Sequence, residues 1–111
     1  MTTPIIPVDT SRLTLKAGGS TQPVQEWGEK DGRRQPVGQQ RDEHGTPLWD
    51  VTVLAVLDGT AHEWVVRVPA AQEPALPVLS DVRARALAAS VSWKGSVTFT
   101  ASSIEPVKAA Q

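Results

Sequence analysis

Few side chains in this sequence are equipped for covalent chemistry. There are two histidines, His44 and His62, with no cysteine and no tyrosine, which excludes a thiol nucleophile, a thiolate metal site and a disulfide framework. His44 sits in the run Arg41-Asp42-Glu43-His44-Gly45, and His62 stands beside Glu63. A metal held by these imidazoles together with Asp58 or Glu63 matches no recurrent ligand spacing; the simpler reading is two solvated residues at a turn and a strand end. The carboxylates are scattered singly, so no pair is arranged for general acid and base work. Gly18-Gly19 leads into Ser20-Thr21-Gln22-Pro23 and not into a helical period, so no phosphate-cradling loop opens a helix. These features predict a protein that is not an enzyme and needs neither cofactor nor metal.

What the residues do offer is non-covalent chemistry. The stretch Lys30 to Arg41 (KDGRRQPVGQQR) sets Lys30, Arg33, Arg34 and Arg41 against the single Asp31, a local positive lobe that can attract phosphates. Glu29, Asp42 and Glu43 flank it and weaken its field; the competing reading is a solvated loop whose charges serve solubility alone. Four tryptophans accompany one phenylalanine, and indoles serve either as core filling or as stacking platforms for nucleobases. Trp49 and Trp93 fall within alternating apolar runs and are expected in the core. Trp27 and Trp64 sit among Glu26, Glu29 and Glu63, where partial exposure makes them stacking candidates. Arg67 and Lys94 are expected to help bind phosphates. Arg83 and Arg85 lie on a polar side, either for the same purpose or as plain surface charge beside Asp81.

The elements that must carry these residues read as strands. Nine prolines and eight glycines leave no long uninterrupted helical period except over Asp81 to Ser90. In Leu48 to Leu57 (LWDVTVLAVL), Trp49, Val51, Val53, Ala55 and Leu57 share one face, which predicts a strand with that face in the core. Asp58-Gly59 is a two-residue hairpin signal, and Ala61 to Val68 returns with Trp64, Val66 and Val68 on one side. A second hairpin is expected from Arg12 to Lys16 and Gln22 to Glu29, joined at Ala17-Gly18-Gly19-Ser20. Pro69 to Pro77 reads as a connection, because proline in a central ladder deletes a hydrogen bond. Asp81 to Ala89 is compatible with a short helix but its alternation favours a strand. Val91 to Phe99 puts Val91, Trp93, Val97 and Phe99 on one side, with Lys94-Gly95 able to form a bulge or turn.

Five to six short strands favour a small OB-like β-barrel, all-β with room for one short helix, over a two-sheet sandwich. At 111 residues, with 40% hydrophobic and 21% charged residues, the chain suits one domain: 11–106 as the barrel, with 1–10 and 107–111 as flexible ends. A net charge of −1 removes any bulk polycation argument for nucleic acid. The absence of a long apolar run and of a leader pattern predicts a soluble cytoplasmic protein that does not enter a membrane.

The run Gln39-Gln40-Arg41-Asp42-Glu43-His44-Gly45-Thr46-Pro47-Leu48-Trp49-Asp50-Val51-Thr52-Val53-Leu54 resembles a segment of small replication-activator proteins carried on integrative conjugative elements of high-GC Gram-positive bacteria. Val82 to Leu87, Trp93-Lys94-Gly95 and Val97 to Ile104 look like the ending of helicase-processivity factors of related mobile elements. The part up to Trp27 departs from both. The resemblance implies an accessory protein for mobile-element or plasmid replication, binding single-stranded DNA, the initiator-helicase complex, or both. The site residues would then be Lys30, Arg33, Arg34, Arg41, Arg67 and Lys94 for phosphates, and Trp27 and Trp64 for bases. A protein-interaction or structural adaptor, including a virion component, is the alternative, motivated by the near-zero net charge. Self-association is left open.

Overall fold

The computed structural model describes residues 5–107; the remainder of the two expected loose ends lies outside the described residues. The chain is all-β. Its strands are β1 (Ile5–Pro7), β2 (Thr14–Pro23), β3 (Gln25–Lys30), β4 (Arg33–Gln39), β5 (Leu48–Leu57), β6 (Thr60–Pro69), β7 (Asp81–Arg85), β8 (Ala88–Val91), β9 (Val97–Thr100) and β10 (Ser103–Pro106), with one 3-10 turn at Thr10–Arg12. Eight of them form a curled, half-barrel sheet in the order β1-β8-β9-β6-β5-β2-β7-β10, and β3 and β4 form a separate two-stranded ribbon. The count exceeds the five to six strands expected because several stretches read as one are broken by turns, and because the basic segment is itself a strand.

The β5–β6 hairpin follows from sequence. Asp58 and Gly59 both take positive φ, 50° and 80°, the geometry of a two-residue turn whose twist matches the flanking strands. The register runs from Leu57 opposite Thr60 to Leu48 opposite Pro69. One face carries Val51, Val53, Val66 and Val68, all fully buried, and Ala55, Leu15, Ala17, Val82, Ala84, Leu87, Ala101 and Ile104 complete the core around them. Trp49, Trp64 and Phe99 pack against its margin. Trp49 is half-buried, and its indole N–H donates to the Ala70 carbonyl at 2.9 Å, fixing the start of the proline-rich connection.

Around this hairpin three sequence-based expectations change. Arg12–Lys16 and Gln22–Glu29 are not two arms of a hairpin: Thr14 to Pro23 is one strand along β5, with a bulge between Ala17 and Thr21. The bulge accommodates Gly18, where a Cβ would lie 2.9 Å from the Thr52 side chain and carbonyl oxygen. Val91 to Phe99 is not continuous either. Ser92 N–H donates to the Ser96 carbonyl and Gly95 N–H to the Ser92 carbonyl, so a turn separates β8 from β9 and projects Trp93 into solvent. Ile5–Pro7, within the expected loose end, adds as an outer strand to β8. The strand reading of Asp81 onward holds as β7, and the helix alternative does not.

The final strands join the two flanks of the sheet. β9 pairs parallel with β6, and β10, two residues later, pairs antiparallel with β7. Between them the Ala101 amide donates to the Arg67 carbonyl of β6 and the Ser102 amide to the Arg85 carbonyl of β7. β7 in turn pairs with β2, so the strand path closes the curl around the valine core.

Candidate functional site

The basic segment is not a loop. Lys30 and Arg33 face each other across Asp31-Gly32, which takes φ values of 55° and 75°, the same turn chemistry as Asp58-Gly59. The sequence signal was there in Asp31-Gly32, but its flanks lack the apolar alternation that makes a strand legible. The ribbon leaves the sheet as an arm between β2 and β5. At its base the Val24 amide donates to the Leu48 carbonyl, the Gln40 amide to the Val24 carbonyl and the Leu48 amide to the Gln40 carbonyl. Gln39 Nε2 also donates to the Leu48 carbonyl at 2.7 Å. Val24, the one buried residue of this junction, anchors the arm to the body. The molecule spans 54 Å along its longest axis and 24 Å along its shortest.

The register sorts the arm's side chains onto two faces. Trp27 lies opposite Pro36 and Glu29 opposite Arg34, while Gly28 lies opposite Gln35 and Lys30 opposite Arg33. One face therefore carries Trp27, Glu29, Arg34 and Pro36, and the other carries Glu26, Lys30, Arg33 and Gln35. Trp27 is 52% exposed, matching the partial exposure expected of it. The cations are divided between the faces, and Glu26, Glu29 and Asp31 offset them within the arm. Arg41 lies past its base, bridged to Pro47, and its Nη1 donates to the Gly45 carbonyl at 2.8 Å. That bond ties it into a turn built on Asp42, whose Oδ1 accepts from the His44 and Thr46 amides, each at 2.9 Å.

The remaining expected site residues are elsewhere. Arg67 is on the outer face of β6, where its Nε donates to Asp50 Oδ1 at 3.1 Å, so its charge already has a partner. Trp64 is on the opposite, core-facing side, stacked on Phe99 and lining a cleft of about 280 Å³ with Val8, Leu13 and Leu57. It does not share a surface with Trp27. Arg85 is paired with Glu105.

Trp93 is the indole that sequence reasoning misplaced. It is 87% exposed, at the tip of the β8–β9 turn, with Lys94 Nζ 5.2 Å from its ring centroid, a cation–π arrangement. The signal that marks it is Lys94-Gly95 followed by Ser96, with Gly95 at φ 83°: a turn at this point breaks the alternation and frees the indole. Phe99 aligns with Val66 in the parallel pair, which sets the Trp93 turn toward the Leu57–Thr60 end of β5–β6. The arm springs from the Leu48–Pro69 end. The two exposed indoles thus belong to projections at opposite ends of one hairpin, whose ten-residue strands are each about 30 Å long.

The two histidines lie in different elements. His44 Nε2 is 3.5 Å from Glu43 Oε1 on the surface, and His62 lies in β6 opposite Ala55. Among the described residues no three His, Cys, Asp or Glu side chains gather as metal ligands, and no helix is long and apolar enough to cross a membrane. Comparison with protein-family models, with curated proteins and with solved structures finds no match to the chain.

Proposed function

We propose that this protein is a non-catalytic accessory factor for replication of a mobile element or plasmid, and that it binds single-stranded DNA on an OB-like barrel. The observation that carries the reading is the pair of solvent-exposed indoles, Trp27 and Trp93, each on a projection bearing cations, while the other two indoles pack on the core. Such rings stack on any base, and neighbouring Lys and Arg meet the backbone. The strand path supports the barrel label. β2, β5 and β6 follow one another as neighbours, the β9–β10 segment runs parallel beside β6, and β7 returns beside β2. In OB-folds oligonucleotides lie across the second and third strands between the loops that join the first to the second and the fourth to the fifth. In this chain those connections are the arm and the Trp93 turn. Arg34 with Trp27, and Lys94 with Trp93, are the contacts assigned to DNA; Arg67 and Trp64 are assigned to the framework.

Titration of intrinsic fluorescence with oligo-dT at low salt tests the reading. Quenching that weakens as salt rises is expected, with Trp27→Ala and Trp93→Ala each reducing affinity. Absence of both quenching and a mobility shift at high micromolar protein would overturn it.

A second reading, an adaptor for the initiator or helicase, is favoured by one observation: the arm carries Lys30, Arg33 and Arg34 against Glu26, Glu29 and Asp31, a neutral balance suited to protein contacts. Co-purification with the initiator or helicase that survives nuclease, together with no direct DNA binding, distinguishes it.

A further inference from the structure

A ribbon of two strands is marginal on its own and gains from added strands, and the arm's strands pack chiefly on each other. The outermost strands of the sheet are guarded: β1 contains Pro7 and β10 contains Pro106, and β4 contains Pro36. Proline on an edge removes a donor and deters pairing. β3, with the sequence QEWGEK, has none. Because a two-residue turn closes on a narrow pair, here Lys30 with Arg33, the alternation of an antiparallel ladder directs the backbone N–H and C=O groups of Trp27 and Glu29 away from β4. Among the described residues no other element hydrogen-bonds to them.

We propose that β3 pairs antiparallel with β3 of a second copy of this chain, about a two-fold axis at Gly28, so that the two arms form one four-stranded ribbon. The choice of register follows from two constraints. A register centred between residues sets an outward-directed backbone group against an inward-directed one and forms no ladder. Centring on Trp27 leaves Lys30 without an acidic partner. Centring on Gly28 places Trp27 of each copy opposite Glu29 of the other, and Glu26 of each copy opposite Lys30 of the other. Both cross-strand charge pairs are then of opposite sign, and the same side chains penalise slipped registers. The axis position also needs a small residue. A Cβ on Gly28 would lie 3.1 Å from a methyl of Val37, and Val37 is 52% exposed. With no side chain at the axis, the valines of the two copies come together over it and cover each other. The interface is isologous and closed, and it leaves both ribbon faces, and hence Trp27, open above and below.

Sedimentation equilibrium of the full chain, from low to high micromolar protein at low salt, tests this. A concentration-dependent dimer is expected. Lys30→Glu should weaken it by about tenfold, since two attractive pairs become repulsive, and Glu26→Lys should do the same. The double variant Glu26→Lys with Lys30→Glu should recover the parental dimer. Circular dichroism of each variant checks that the sheet is intact, and the exposed positions of both residues leave the core untouched. A chain that stays monomeric throughout, a dimer indifferent to either single substitution, or a double variant that fails to recover would overturn the proposal.

Discussion

The indole of Trp64 lies flat against the ring of Phe99, with centroids 4.2 Å apart and planes inclined by 13°. The stack crosses the parallel pair of β6 and β9, where few backbone bonds are made, and it occupies one face of the indole. Trp64 thereby ties β9 to β6. Trp64→Ala should lower stability by about 2–3 kcal/mol, less than a fully buried indole because the ring keeps some exposure. Chemical denaturation measures this, and the folded variant should bind oligo-dT with unchanged affinity.

A base stacked on Trp27 has Arg34 on its side of the ribbon and Arg33 on the other. Arg34→Ala is expected to reduce the slope of log affinity against log salt by about 0.7, the value for one phosphate contact on a single strand. Arg33→Ala should leave that slope nearly unchanged. Titrations over a salt series separate the two variants, and equal effects would contradict the facial division.

Asp42 holds the turn at the foot of the arm through two backbone amides, those of His44 and Thr46. Asp42→Ala removes both bonds, one of them part-buried, and should cost about 1–2 kcal/mol. Amide exchange should quicken at Gln40 and Leu48, whose bonds root the arm, more than at Val53 in the core.

Asp9 caps the 3-10 turn by accepting from the Ser11 hydroxyl at 2.6 Å and the Ser11 amide at 2.9 Å. The hydroxyl bond first, and the amide bond after it, hold its carboxyl below the ordinary aspartate value. A depressed folded-state value means the contribution to stability is present above the unfolded value and is lost as pH falls through the folded one. An NMR titration of Asp9 should show a midpoint below the ordinary aspartate value, and Ser11→Ala should move it back up.

How much was legible in the sequence depends on where burial enforced a period. Leu48–Leu57 and Thr60–Pro69 lie against the core along one face, so Val51, Val53, Val66 and Val68 wrote their strands plainly. The arm buries neither face, and nothing in Gln25–Lys30 or Arg33–Gln39 needed to alternate; only Asp31-Gly32 betrayed it. Trp93 failed for the opposite reason: Val91 and Val97 keep strand parity across a turn, so the run looked continuous. Charge division within the arm was invisible, because adjacent residues in sequence such as Arg33 and Arg34 point to opposite sides. The partnership of Arg67 with Asp50 depends on register across a hairpin, which composition does not encode.

The closing of the curl through Ala101 and Ser102 has a consequence for biogenesis. As the polypeptide leaves the ribosome, the β5–β6 hairpin can form from neighbouring residues, but β6 stays open on the side that β9 will cover until Thr100 has emerged, and β7 on its outer side until Pro106 has. Completion of the sheet thus waits on residues 97–106, and up to that point the nascent chain exposes the unpaired edges of β6 and β7.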